Sequence, residues 1–382
     1  MKRKSKGNPY LSKVVCWMMV GMMVLALVWP DRSFSSVENR PLARSASFSS
    51  QSLMSGKTGR ELNTVFTDQF PGRDLFFHLD YLFRKGCGQR EIKDVFLGKN
   101  ALLANPEAQN GSTLTDTIGA INTFASLNGL SNYLLVSPSA ATIQSEKLPD
   151  HAPVREIDSA FNQIAVSTPN VITVDARQIL DAHNKEYLFY KTDHHWTSLG
   201  AGYAAQSLLE AMDIEMDLAD FNRMPVSNSF QGTLASKTGS PFLKDRIELA
   251  VSDQNPRYYV TWADGTKTSS IYNRQALKTK DQYQVFLAAN QALVRIDTDV
   301  NTTRSLLLFK DSYANSVVQY LLPYFSSITI VDPRYYYEDL ELVLGSDLFT
   351  DCVFLYSYDT FVTIPALKNV LNAWNAKHPI EP

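Results

Sequence analysis

Asp193-His194-His195-Trp196 sets a carboxylate and two imidazoles side by side. Far downstream the apolar run Ser305-Leu306-Leu307-Leu308-Phe309 leads into Lys310-Asp311-Ser312-Tyr313. That run reads as a buried strand, with Ser312 at the turn that ends it. Together these residue types form the parts list of nucleophilic acyl transfer. A serine hydroxyl is a weak nucleophile near neutral pH. It needs a base to take its proton and donors to hold the developing oxyanion. In an extended loop residues i and i+2 project to one side. Asp193 can then fix the tautomer of His195 and stabilise its imidazolium, while His194 is expected to point away. Ser312 is expected at the carboxyl edge of a sheet, beside the free N–H groups that begin a helix. Its bland alternative is a helix N-cap. Trp196 either lines the pocket, stacks on a sugar ring or packs in the core.

The same residues are competent metal ligands. Adjacent histidines seldom converge on one ion, however, and no H-x-x-x-H or H-E-x-x-H spacing completes a set. The expectation is a site with no metal and no cofactor.

These groups need elements to position them. Short apolar runs at Tyr133–Val136, Asn170–Asp175, Ser305–Phe309, Ile328–Asp332 and Cys352–Tyr356 alternate with helical patterns. Helices are expected near 114–129, 176–183, 199–212, 313–324, 336–344 and 364–376. This rhythm predicts an α/β domain with a mostly parallel sheet flanked by helices. Residues 221–300 break it. They read as an antiparallel insertion, with strands at Tyr258–Trp262 and Tyr283–Leu287. Upstream, Leu62, Val65, Phe66 and Phe70, then Leu75, Phe76, Leu79, Leu82 and Phe83, recur at helical spacing on either side of Pro71-Gly72. Two amphipathic helices follow from that.

The chain has 382 residues, is 45% hydrophobic and 20% charged, and carries a net charge of −3. This is ordinary globular composition. Without a basic stripe beyond the N-terminus, nucleic acid is a poor partner. Lys2, Arg3, Lys4, Lys6 and Lys13 precede an uncharged run from Val14 to Trp29. As a helix that run spans about 24 Å. Basic flank and apolar run together predict a membrane signal over residues 1–30, with the rest of the chain outside the cytoplasm. Trp29-Pro30-Asp31 offers no A-x-A cleavage site, which favours a single-pass anchor over a removed signal peptide. Residues 31–58 read as a linker and 59–382 as the extracytoplasmic domain. Cys87 and Cys352 either form one disulfide or stand as separate thiols.

Asp193-His194-His195-Trp196 resembles the signature of the bacterial DHHW family, whose members are similar to the SGNH-hydrolase-like proteins of alginate O-acetylation. Further blocks support the resemblance in order: Glu38–Leu42, Asp68–Asp74, Leu293–Asp297, Lys310–Ser316 and Asp332–Tyr336. The resemblance implies an SGNH-hydrolase-like, flavodoxin-like fold with a circularly permuted motif order. It maps Asp193 and His195 as orienting acid and general base, and Ser312 as nucleophile. Ala288-Ala289-Asn290 stands where a Gly-x-Asn block supplies an oxyanion donor, which makes Asn290 a candidate although alanine replaces the glycine. Tyr313 is a further candidate beside the nucleophile. The implied activity is O-acetyl transfer to, or acetyl-ester hydrolysis of, a cell-surface polysaccharide. The implied partner is a membrane-bound O-acyltransferase that supplies acetyl groups. The competing function is a non-catalytic polysaccharide-binding or assembly protein that uses Trp196 and Arg334-Tyr335-Tyr336-Tyr337 as a stacking surface.

Overall fold

The computed structural model describes residues 9–254, 256–288 and 290–379. They fall into two compact units, one reaching to Gly88 and including Gly239–Pro241, the other formed by residues 89–238 and those from Phe242 onward. The first unit opens with a helix at Pro9–Val28. Among the described residues no helix is long and apolar enough to cross a membrane. The stretch read as a linker contains a short strand pair, Phe34–Ser35 with Arg40–Pro41, and a helix at Ser50–Met54. The expected helix pair lies at Lys57–Gln69 and Arg73–Gly86. Gly72 separates them at φ +72°, a left-handed conformation natural to glycine.

The second unit is built on an eight-stranded sheet. In chain order its strands are β1 (Ser131–Ser137), β2 (Ile172–Val174), β3 (Tyr258–Thr261), β4 (Lys267–Thr268), β5 (Leu293–Thr298), β6 (Ser305–Lys310), β7 (Ser327–Val331) and β8 (Asp351–Ser357). Across the sheet they run β4-β3-β5-β7-β6-β8-β1-β2. The pairs from β7 through β2 are parallel. Strands β3, β4 and β5 extend one edge in antiparallel fashion. Helices pack on both faces over two apolar clusters, which is why β6, β7 and β8 are buried along their whole length.

The break in rhythm at 221–300 therefore has two parts. Phe221–Phe230 and Asp245–Ser252 pair as a separate antiparallel ribbon. The rest contributes edge strands to the main sheet. Tyr283–Leu287, expected as a strand, instead begins as a 3-10 turn at Gln282–Val285. The helix expected after Ser312 is a 3-10 turn, Ser312–Ser316, followed by one α turn, Val318–Leu321. Leu340–Leu344 is shorter than its apolar pattern suggested. Cys87 is exposed, Cys352 is buried in β8, and both are free thiols.

Candidate active site

Strand β6 carries the chain to the carboxyl edge of the sheet and ends at Lys310. Asp311 then turns it. Its Oδ1 accepts the Tyr313 amide at 2.9 Å, and its Oδ2 accepts the Ser357 amide and hydroxyl at 2.9 and 2.6 Å. One buried carboxylate thus caps the turn and ties it to the end of β8. Ser312 projects from this turn and is partly exposed. The Tyr313 N–H is consumed by Asp311, so the start of this turn offers fewer free donors than an uncapped helix would.

Asp193, His194 and His195 lie at the tip of a hairpin closed by the Phe189–Trp196 bridge and by Thr197 N–H donating to Leu188 O at 2.8 Å. The His195 amide donates to Asp193 Oδ1 at 3.0 Å, bending the chain there. His195 Nδ1 meets the same oxygen at 2.6 Å, and its Nε2 lies 2.8 Å from Ser312 Oγ. A neighbouring pair, Asp193 and His195, and a serine 117 positions downstream thus form one hydrogen-bonded chain. Asp193 Oδ2 accepts the Thr233 amide at 2.7 Å and its hydroxyl at 3.0 Å. The Gly232 amide donates to Thr192 Oγ1 at 3.0 Å. Buried Asp245 holds the hairpin from beneath through the Thr192 and Lys191 amides, each at 2.8 Å.

The electrostatics follow from this packing. Burial alone disfavours a charged Asp193. The positive ends of His194 and His195 and the bonds from His195 and Thr233 outweigh it, and hold the carboxyl well below the usual range. Burial, with help from His194, pushes His195 down to about 4 against the opposing pull of Asp193. His195 is therefore a neutral imidazole at physiological pH. With Asp193 accepting from Nδ1–H, Nε2 is left as the basic nitrogen facing Ser312.

Other expected residues take different places. Trp196 is fully buried, so no ring face is left for a sugar. Its Nε1–H donates to Tyr313 O at 2.9 Å and to Ser316 Oγ at 3.0 Å. Tyr313 is also buried, and its hydroxyl donates to His194 O. The two aromatics thus staple the hairpin tip to the serine turn by reciprocal bonds. His194 does not point away, because the tip is bent rather than extended. Its ring centroid lies 3.9 Å from that of His195, and its Nδ1 bonds Thr233 Oγ1 at 2.7 Å. Asn290 is bonded to Lys310 Nζ at 3.3 Å and Asn315 Nδ2 at 3.4 Å through its carbonyl. Ala288 sits at φ +48°, the left-handed conformation that a glycine would take without strain.

Sequence reasoning missed Gly232, Thr233, Tyr283 and Asp245. They lie 35 or more positions from the hairpin in the chain, and no spacing links them to it. Asp193, His194 and His195 offer metal-ligand atoms within 4.8 Å of one another. Both ring nitrogens of His195 are engaged, by Asp193 and Ser312, so an ion held by His195 would compete with one of those bonds.

Residues 95–292, just over half of the chain, match the family described as "SGNH hydrolase-like domain, acetyltransferase AlgX". The chain belongs to this family. It is similar to the probable alginate O-acetylase AlgJ of Pseudomonas syringae, with 25% identity over 205 residues, 50% of this chain and 49% of that protein. The chain thus matches about half the length of this curated relative. A DHHW family protein from Eubacterium siraeum superposes with a TM-score of 0.62 and 25% identity, over 72% of this chain and 98% of that one. Bacillus cereus PatB1, solved with a sulfonyl adduct, shares the fold with a TM-score of 0.61 and 20% identity, over 71% of this chain and 97% of its own.

Proposed function

We propose that this chain is an O-acyl transfer enzyme acting on a polysaccharide, with Ser312 as nucleophile, His195 as general base and acid, and Asp193 as the orienting carboxylate. The observation that carries the reading is the continuous chain from Ser312 Oγ to His195 Nε2 and from His195 Nδ1 to Asp193, at 2.8 and 2.6 Å. Membership of an acetyltransferase-domain family supports it.

In this mechanism the Ser312 hydroxyl proton passes to His195 Nε2 as Oγ bonds to the carbonyl carbon of an acetyl ester. The carbonyl π electrons move to oxygen. Asn290 is a suitable donor to that oxyanion. Lys310 has donors only, so both asparagine carbonyls turn toward it and the Asn290 amide NH2 remains free to donate elsewhere. Collapse of the oxyanion expels the donor's oxygen, which takes the proton from His195. A sugar hydroxyl next gives its proton to His195 and attacks the acyl-enzyme. Collapse releases Ser312 Oγ, which recovers the proton, and the sugar ester leaves. Water in place of the sugar makes the same site an esterase.

A relative named as a probable alginate O-acetylase supports a polysaccharide as acceptor; a cell-surface location for it and a membrane-bound O-acyltransferase as acetyl source rest on the family resemblance alone. The basic residues before the uncharged run at Val14–Trp29 support delivery out of the cytoplasm, with residues 1–30 as an anchor or a removed signal. Fractionation of cells with a C-terminal tag and the mass of the mature chain separate these fates. A non-catalytic polysaccharide binder is the second reading. It is favoured by the exposed Tyr335 and Tyr337, but it loses Trp196 to the core.

The test uses an aryl acetate as donor with and without an acceptor oligosaccharide. The proposal expects aryl release by wild type, its loss in Ser312→Ala, and acetylated oligosaccharide in the presence of acceptor. Aryl release that survives in Ser312→Ala contradicts it.

A further inference from the structure

Tyr283 has no place in the chemistry so far, yet it touches both reacting partners. Its ring lies face to face with the His195 imidazole, with centroids 3.8 Å apart and planes 10° from parallel. Its hydroxyl donates to the Ser312 carbonyl at 3.0 Å and lies 3.2 Å from Ser316 Oγ. Tyr283 is itself buried, and neighbouring aromatics fix its plane: Phe286 at 5.2 Å and Tyr190 at 6.2 Å. The residue comes from the 3-10 turn Gln282–Val285, on a segment independent of both the hairpin and the serine turn.

We infer that Tyr283 is a positioning residue for His195 and Ser312, an inference that rests on the acyl-transfer reading above. A stacked ring leaves the imidazole one plane. That plane is the one in which Nδ1 reaches Asp193 and Nε2 reaches Ser312 together. The phenol holds the main chain of the nucleophile from the other end, so ring and serine cannot drift apart independently. During the reaction His195 becomes an imidazolium, and the aromatic face then attracts a cation 3.8 Å away. The stack therefore favours the charged imidazole that accompanies the oxyanion more than the neutral ring of the resting site, and differential stabilisation of this kind raises kcat rather than lowering KM. The other charged or titratable groups that face His195 are Asp193, His194, Asp311 and Tyr313. None of these is altered by a change at 283.

The test separates the two halves of the residue. Tyr283→Phe keeps the stack and removes the hydroxyl; Tyr283→Leu removes both. Each variant is assayed for aryl acetate hydrolysis and for the rate of Ser312 modification by phenylmethylsulfonyl fluoride, with far-UV circular dichroism to verify folding. Desolvated cation–π contact corresponds to about a 5- to 30-fold effect on rate. Tyr283→Leu is expected to lose kcat by about that factor with KM little changed, and its acid limb should move to lower pH because the imidazolium has lost its partner. Tyr283→Phe is expected to keep the limb in place and recover most of kcat. A Tyr283→Leu enzyme with wild-type kcat and sulfonylation rate overturns the inference. A Tyr283→Phe enzyme as impaired as Tyr283→Leu overturns the role of the stack on His195, because the hydroxyl's hold on the Ser312 carbonyl alone would then account for the effect. If Tyr283→Leu does not fold, Tyr283→Trp, which keeps an aromatic face, replaces it, and an acid limb displaced as far as in an unstacked histidine refutes the stack. Wild type that is neither active nor sulfonylated at Ser312 instead refutes the acyl-transfer reading, and this inference falls with it.

Discussion

Gly232 offers the sharpest perturbation of the site without touching any reacting group. A Cβ added there would lie 2.2 Å from Asp193 Oδ2, 2.3 Å from its Cβ and 2.6 Å from its Cγ. Ordinary contacts between such atoms are about 3.5 Å, so the carboxylate or the 232 backbone must yield by roughly 1 Å. Neither is free to move. The Gly232 amide is bonded to Thr192 Oγ1, and Asp193 is held by His195 and Thr233 on both oxygens. Gly232→Ala is therefore expected to lower stability by about 1–3 kcal/mol as local overpacking. It should lower aryl acetate kcat/KM by about 10²-fold, the scale of a misplacement near 1 Å, with about 10⁴-fold as the ceiling for complete loss of the orienting carboxylate. Gly119→Ala is the matched control. It lies within the helix Thr113–Leu127 with nothing inside 4 Å of the added Cβ. It should keep full activity and gain about 0.5–1 kcal/mol from helix propensity. The assay pairs initial rates with thermal melts. A folded Gly232→Ala enzyme with wild-type kcat/KM refutes the claim that Asp193 orients His195.

Two further outcomes follow from the same geometry. His195 is pushed down to about 4, so the base is deprotonated throughout the neutral range. The kcat/KM profile should stay flat as pH falls through the ordinary histidine value of about 6.5, then drop near the depressed value as Nε2 takes a proton. A limb at or above the ordinary value contradicts the assignment of the base. Lys310 is buried with its Nζ 3.3 Å from Asp332 Oδ2 and 2.7 Å from Asn315 Oδ1. Burial lowers its pKa against the pull of Asp332. Lys310→Met strips donors from Asn290 and Asn315 while Arg334 still pairs Asp332 at 2.7 Å. The expected cost is about 2–3 kcal/mol, below the usual penalty for a broken buried pair because that second cation remains. It is read from denaturant midpoints, together with a loss of kcat as the Asn290 amide loses its fixed orientation.

Much of the site was legible because its parts lie where local rules operate. The apolar run at Ser305–Phe309 had to be a buried strand, and the polar residues after it had to stand at the sheet's edge. The pairing of Asp193 with His195 is a two-residue relation within one loop. The main parallel strands were legible from alternating apolar and helical patterns for the same reason. What stayed hidden depends on contacts distant in sequence. Tyr283-Gln284-Val285-Phe286-Leu287 alternates like a strand, yet packing of Tyr283 on His195 and burial of Val285 and Phe286 turn it into a 3-10 segment. Leu293–Thr298 and Tyr258–Thr261 join the main sheet by antiparallel pairing that nothing in their own patterns announces. Trp196 carries both an apolar body and an N–H, so composition suits it equally to a sugar face or the core. The carbonyl of Tyr313 and the hydroxyl of Ser316, both inside the fold, decide between them. Nothing in the sequence around Gly232 marks it out; its role comes from the Asp193 carboxylate packed against it.

The central claim is that Ser312 carries the acyl group, and the most direct measurement is the mass of the protein quenched in acid during turnover of an aryl acetate. The account predicts one added acetyl group on wild type, mapped by peptide fragmentation to Ser312. It predicts none on Ser312→Ala, and a strongly slowed appearance on His195→Ala. Turnover without any acetylated serine, or an adduct mapped elsewhere with Ser312→Ala still active, would contradict it.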